Sequence, residues 1–537
     1  MSVGFLILWY HFAPQTVQQK LAQTAKPVAK VEGQISAPAV KAESVPVKPA
    51  PLPKSPSVKS APEAERIIEL PSARVVIGSR GAGVRHWWLK ENGGTSASSH
   101  SVAQWPDLVN HAARSADAEL LPPEKWPLST YPDLNFESTP VEAIAGGGIQ
   151  SVWKAVLPNG IELEKKFVWI PEQNGNTPQF PKVALTFRNP RKQGLRLDEF
   201  KIGWSQGLGT IESEKKENPN NTRVIAYPSP KKAVDKLENG SHKMDYKWVA
   251  VDNRYYLFAM IPVQGQFDHI EAAKDKLNQG EVIMAALPSV IKPGQQHVLE
   301  LPFYIGPKWY THLKKWNMGL EHAVDFGYFA FLGKWALKAL YALHNVSKNY
   351  GWSIILLTMI LQVLLLPLSI KSYKSMAGMK RIQPKIQEMQ KRFKDDSKRM
   401  NEEMLKLYRE SGTNPFGGCL PMIVQIPVFW AFYTMLRGAY ELRGAPWIFW
   451  IKDLSQHDPF YILPIVMGAG MLLQQKISGP PGDPAQAKIM MLMPVMFTFM
   501  FLNFPSGMVL YWLTNSTLSI IVQYGCNRKF SVATAVA

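Results

Sequence analysis

Residues 351–370 read GWSIILLTMILQVLLLPLSI, twenty residues without a charge. As a helix this run is about 30 Å long, the thickness of a bilayer's hydrocarbon core. The next stretch is opposite in character: residues 371–412 hold twelve Lys/Arg against six Asp/Glu. An apolar span running into a basic loop predicts a membrane helix whose far end faces the cytoplasm. Four further apolar segments follow, at 421–440, 461–473, 489–504 and 507–523. The loop 441–460 is net −1, the loop 474–488 is net +1, and Arg528 and Lys529 close the last segment. Five spans therefore alternate consistently, with the C-terminus inside and residues 64–324 outside.

The basic loop has its own pattern. Met376, Met379, Ile382, Ile386, Met389 and Phe393 recur at helical spacing, as do Met400, Met404, Leu407 and Tyr408 after a break at Asp395-Asp396-Ser397. Two short antiparallel helices are expected, studded with basic side chains such as Lys380, Arg381, Lys385, Lys391 and Arg392. Either this hairpin touches lipid headgroups, a ribosome or a targeting factor, or it is a solvated loop obeying the positive-inside rule.

Polar residues inside the spans fall into stripes. Thr358 and Gln362 share a face of the first span, continued by Ser369. In the last span Trp512, Asn515, Ser516, Ser519 and Gln523 form a second stripe, and Gln425 lies in the second span. An unpaired amide in hydrocarbon costs about 2–7 kcal/mol, so these groups face each other or water. They line a hydrated groove or serve as hydrogen bonds between helices.

Outward from the spans, residues 325–346 mix aromatic and aliphatic residues with Lys334, Lys338 and His344. That mixture predicts an amphipathic helix lying in the interface, over about 325–350. Residues 64–324 read as β-structure. Val183, Leu185 and Phe187 alternate with Ala184 and Thr186, and Pro158-Asn159-Gly160 separates two strand-like runs. Asn174-Gly175 and Asn239-Gly240 mark more turns, and many strands at short spacing imply a β-sandwich. Residues 13–63 hold nine prolines and seven lysines and read as a disordered tether. Residues 3–12 are apolar but too short to span, and are expected to be the remnant of a signal-anchor. Residues 530–537 form a short tail after the membrane core at 351–529.

The chain as a whole has 537 residues, 46% hydrophobic and 19% charged, with mean hydropathy −0.12 and net charge +18. This composition excludes both a plain soluble enzyme and a protein made only of membrane spans. Its two cysteines, Cys419 and Cys526, both lie in the apolar half and exclude a disulfide framework outside. Neither metal-ligand spacing nor an acid–base pair within the spans is present in the sequence, so no enzyme, metal or cofactor is expected.

Asn414-Pro-Phe-Gly-Gly-Cys-Leu-Pro421, Gln425-Ile-Pro427, Asp453-Leu-Ser455, Tyr461-Ile-Leu-Pro464 and Phe504-Pro-Ser-Gly507 follow one another in that order. Together with the basic hairpin this set closely resembles the YidC/Oxa/Alb family of membrane insertases, in its Gram-negative form with a large periplasmic domain. The resemblance implies a five-helix core around a hydrophilic groove in the bacterial inner membrane. Thr358, Gln362, Gln425, Tyr511, Trp512, Asn515, Ser516 and Ser519 then line the groove or contact clients. Nascent membrane proteins, lipids, the Sec translocon and the ribosome are the implied partners, with no direct role for nucleic acid. Family members usually carry an Arg where this chain has Gln362, and some a Tyr where it has Trp512. A small-solute transporter or channel is the alternative reading of two polar stripes.

Overall fold

The computed structural model describes residues 63–90, 105–110, 123–171, 178–211, 214–228, 233–275, 279–393, 396–412, 420–478 and 484–532. The segment 3–12, nearly all of the tether, the Asn174-Gly175 turn, Asn414–Cys419 and most of the tail lie outside the described residues.

The β part is built on a ten-stranded sheet. Nine strands run in the order Asp235–Lys236, Arg223–Pro228, Tyr246–Asp252, Tyr256–Met260, Gln296–Pro307, Lys182–Arg188, Glu162–Trp169, Gly148–Val156 and Glu137–Ser138, and Glu142–Ile144 also pairs with Gly148–Val156. A four-stranded sheet orders Phe200–Trp204, Gly280–Ala286, His269–Lys274 and Gly240–Lys243, and a three-stranded meander covers Glu65–Glu69, Ala73–Gly78 and Val84–Leu89. Inward side chains of all three sheets share one core, including Phe167, Phe187, Phe258, Trp204, Met284 and Trp87. The expected alternation holds in Lys182–Arg188, where Val183, Leu185 and Phe187 are buried and Ala184 and Thr186 are not. The Pro158-Asn159-Gly160 hairpin also forms: Gly160 takes φ +91°, and Asn159 Oδ1 accepts from Ile161 N at 3.1 Å.

Two central strands depart from simple alternation. Tyr256–Met260 is buried at every position. Tyr256, Phe258 and Met260 enter the sandwich core, while Leu257 and Ala259 join a second core shared with the helices. Likewise Val249 and Val251 point one way, and Trp248 and Ala250 the other. A strand clothed on both faces has no solvent side, so its sequence reads as continuously apolar.

The helical part begins with α1 (Tyr310–Lys315) and α2 (Ala330–Ser347). Lys348 then takes a left-handed φ of +54°, and Asn349 caps α3 (Tyr350–Arg392) by accepting from Trp352 N. α4 (Ser397–Glu410), α5 (Leu420–Gly438), α6 (Ile462–Ser478), α7 (Pro484–Phe501) and α8 (Ser506–Val532) complete it. α3 packs along α8 and α2, α8 along α6, α6 along α7, and α5 against α2.

One expectation about local structure is corrected. The first hairpin helix is not a separate element: α3 continues unbroken for 43 residues, about 64 Å. It thus extends far beyond a roughly 30 Å hydrocarbon core. α4 folds back on its end, capped by Asp396 accepting from Arg399 N at 3.0 Å. The two apolar seams meet there as a small cluster of Ile382, Ile386 and Leu407 with Met379, Met389, Met404 and Tyr408. Among the described residues, Tyr350–Met379 is long and apolar enough to cross a membrane, whereas Ile462–Ile477 and Met491–Phe501 are apolar but shorter.

Lys165 ties the β part together. It is fully buried, and its Nζ donates to Gly81 O at 3.0 Å, to Leu128 O, and to Thr130 Oγ1 at 3.3 Å. Burial pulls its pKa well below the usual lysine value. Its removal strands three buried acceptors. Lys165→Ala is expected to lower the melting temperature of the purified chain by about 5–10 °C, read by a thermal melt in detergent.

Candidate functional site

The two polar stripes meet. Gln362 on α3 donates from Nε2 to Ser519 Oγ on α8 at 3.3 Å, and Tyr373 Oη donates to Ser519 O at 3.4 Å. Thr358, Gln362, Ser369 and Ser372 on one side, and Ser516, Ser519 and Gln523 on the other, are all buried. Thr358 and Ser369 also return hydrogen bonds to their own helix, at Ile354 O and Leu365 O. These side chains therefore form a polar seam between α3 and α8. A third helix joins through Gln425 on α5, whose Nε2 donates to Tyr511 Oη at 2.9 Å. Tyr511 stacks on Phe432 with ring centroids 4.7 Å apart.

The other stripe residues go elsewhere. Trp512 sits in an aromatic cluster, 5.0 Å from Phe429, 6.0 Å from Phe497 and 5.5 Å from Phe501, between α5 and α7. Asn515 is half-buried and makes no hydrogen bond among the described residues. Arg381, Lys385, Lys391 and Arg392 are exposed on the far end of α3, while the side chain of Lys380 lies outside the described residues. Tyr373 was missed by sequence reasoning, although it lies eleven residues after Gln362 and so on the same helical face.

The opposite end of the bundle is closed by packing. Gly351 lies against the Trp447 ring, where a Cβ would come within 2.1 Å. Asn349 Nδ2 donates to Pro446 O at 3.1 Å. Leu454 O accepts from Gly507 N at 2.9 Å, and Gln456 O from Ser506 N at 2.7 Å and Ser506 Oγ at 2.8 Å. Asp458, fully buried, accepts from Trp450 Nε1, Phe460 N and Leu463 N, holding the start of α6. The Asp453-Leu-Ser455 and Phe504-Pro-Ser-Gly507 motifs thus build one plug at the head of α3, α6 and α8.

The β part docks on the same end. Glu214 accepts from Thr210 Oγ1 at 2.6 Å and faces Arg443 Nε at 3.7 Å, and burial raises its pKa. Arg254 Nε donates to Arg437 O at 3.0 Å, and Arg437 Nη2 to Asn221 Oδ1 at 3.3 Å. Arg437 is therefore engaged at this junction, away from the seam. Tyr341 on α2 donates to Glu441, just beyond α5. Burial pushes the Glu441 carboxyl up to about 7.

Residues 342–533 match the family described as 60Kd inner membrane protein, and residues 169–338 match the YidC periplasmic domain. A membrane protein insertase YidC from Endomicrobium trichonymphae is 40% identical over 490 residues, 88% of this chain and 86% of its own. One of the same name from Geotalea daltonii is 33% identical over 524 residues, 97% of this chain and 96% of its own. A crystal structure of active YidC insertase with the first transmembrane domain resolved is similar with a TM-score of 0.37 and 18% identity, over 87% of this chain and 93% of that one.

Two tests follow from the geometry. With Cys419→Ser and Cys526→Ser as background, the pair Gln362→Cys and Ser519→Cys is expected to be bridged within one chain by a short bis-thiosulfonate. Absence of that bridge would show that the seam is not formed. For Glu441 the sign is set by its raised folded pKa: the unfolded chain releases its proton first, so stability falls as pH rises from about 4.5 to about 7. The loss is at most about 3 kcal/mol. Glu441→Gln should flatten that part of the melting temperature–pH profile.

Proposed function

Because the chain belongs to the YidC family of membrane protein insertases, we propose that the α3–α8 seam, with Gln425 and Tyr511 beside it, receives the polar flank of a client. The protein is an insertase of the inner membrane with a periplasmic domain, and its substrates are nascent membrane proteins. The observation that carries the site assignment is the Gln362–Ser519 and Gln425–Tyr511 pairing, which concentrates exchangeable polar groups within the apolar stretches of three helices.

The physics divides the client in two. Its short polar flank exchanges water for amide and hydroxyl partners as Gln362 parts from Ser519 and Gln425 from Tyr511. Its apolar segment moves into lipid, gaining about 25 cal/mol per Å² of apolar surface removed from water. The plug built on Leu454, Gln456 and Ser506 keeps the periplasmic end shut, so entry is from the end bearing the α3–α4 hairpin. On this reading the protein crosses the membrane several times with its C-terminus in the cytoplasm, and the hairpin's exposed basic residues meet lipid headgroups or the ribosome. The Sec translocon is a further partner of this reading, and no covalent step or cofactor is part of it.

Gln362 gives the site a distinctive character. It donates and accepts hydrogen bonds but carries no fixed charge, so acidic flanks gain no ionic attraction there. Trp512, packed among Phe429, Phe497 and Phe501, acts chiefly by holding α5, α7 and α8 together.

Complementation tests this. In cells depleted of their own insertase, protease protection of a two-span client is scored for the parent chain, Gln362→Arg and Gln362→Leu at equal expression. A neutral-flanked client should insert equally with parent and Arg variant. An acidic-flanked client should insert several-fold better with the Arg variant. The Leu variant should lose most activity on both clients, and full activity with Leu would sink the seam assignment.

A further inference from the structure

Where the large sheet, the connector after α1 and the start of α2 meet, there is a cavity of about 230 Å³. Arg223, Lys236, His322, Asp325, Phe326 and Lys334 are among the residues lining it. Arg223 is locked in place: it pairs with Asp252 through Nε at 3.0 Å, with Asp325 through Nη1 at 3.2 Å, and donates to Ala323 O at 2.9 Å. Asp252 behind it is also bound by Lys308 Nζ at 2.8 Å. Asp325, the cavity's carboxylate, accepts from Gly327 N at 2.8 Å as well as from Arg223. Asp252 and Asp325 are therefore already neutralised by fixed partners.

Lys236 and Lys334 are different. They come from separate elements, a sheet-edge strand and α2, and neither has an ion-pair partner among the described residues. Lys334 Nζ stands 5.9 Å from the centre of the Phe326 ring. Three cations against one lining carboxylate leave the cavity with an excess of two positive charges. Its volume lies below the roughly 300–1,000 Å³ of drug-sized ligand sites. It suits a small anion or one headgroup, not a whole lipid.

Its surroundings select between these. Tyr328 is 92% and Phe331 81% exposed at the start of α2, with Trp335 one turn on. Such aromatic side chains are at home at the headgroup level of a bilayer. We propose that this cavity binds the phosphate of an anionic phospholipid headgroup through Lys236 and Lys334, against the fixed guanidinium of Arg223. The binding tethers the neck of the periplasmic domain to the outer leaflet. The proposal rests on α2 lying in the membrane interface, as the residue pattern over 325–350 predicts.

The full chain in detergent is exposed to phosphatidylglycerol and, separately, to phosphatidylcholine, and bound lipid per chain is counted by native mass spectrometry. The parent should prefer phosphatidylglycerol. The double variant Lys236→Gln/Lys334→Gln should bind it about tenfold more weakly, while Lys338→Gln, exposed one turn further along α2, should bind nearly as the parent does. Equal binding by parent and double variant overturns the site, and an equal loss in Lys338→Gln overturns it in favour of diffuse surface charge. Competition by millimolar inorganic phosphate, with no preference between the lipids, overturns the lipid assignment in favour of free phosphate. A spin label at Phe331→Cys, in the Cys419→Ser/Cys526→Ser background, reports the depth of α2 in vesicles. A label in water shows that the interfacial reading of α2 has failed. A label in lipid with an indifferent double variant shows that the cavity proposal alone has failed.

Discussion

A sheet with two apolar faces is the constraint on which the rest of this molecule depends. Trp248, Ala250, Leu257 and Ala259 turn away from the sandwich core and join a second core with Leu313, Leu337, Phe432 and Tyr511. Remove that second covering and four adjacent strands would expose apolar surface to water. The helices in turn pack on the sheet's second face through that shared core. A continuous core of this kind transmits position, because packed interiors do not deform smoothly. The salt-linked neck of Arg223, Asp252 and Lys308 sits at its edge and adds charge pairing to the packing.

The helical part obeys a second constraint, that polar groups among apolar helices need partners. Gln362, Ser519, Gln425 and Tyr511 find each other, and Thr358 and Ser369 fall back on their own backbone. Each such bond is worth little, about 0.6 kcal/mol on average in a membrane protein. Small energies suit the opening and closing that the proposed client site requires. The opposite end is built otherwise. Buried Asp458, the close contact of Gly351 with Trp447 and the bonds from Ser506 and Gly507 make a plug with many partners.

The legibility of the chain follows from which interactions are local. The first span, the hairpin seams and the alternation of Val183, Leu185 and Phe187 were readable because each is a periodicity within one element. The unbroken helix through Arg392 was not. Its apolar and basic halves look like two segments, and the continuity of backbone hydrogen bonds across Lys371 leaves no mark in hydropathy. The stripes were legible as faces, but not the choice between open groove and closed seam. That choice depends on the distance between α3 and α8, which packing sets. Arg437 shows the same limit: it is the one charged residue of α5, and its partner Asn221 lies more than two hundred residues away in the chain.

By itself the sequence determined the division into β part and membrane core, the faces of the spans, and the family to which the ordered motifs belong. These depend on composition, period and neighbouring residues, all of which survive in one dimension. Only the tertiary structure decided that Gln362 meets Ser519, that Glu214 faces Arg443, and that Lys236 and Lys334 share one cavity. Those pairs join elements far apart in the chain, and their distances are fixed by how two cores stack on one sheet.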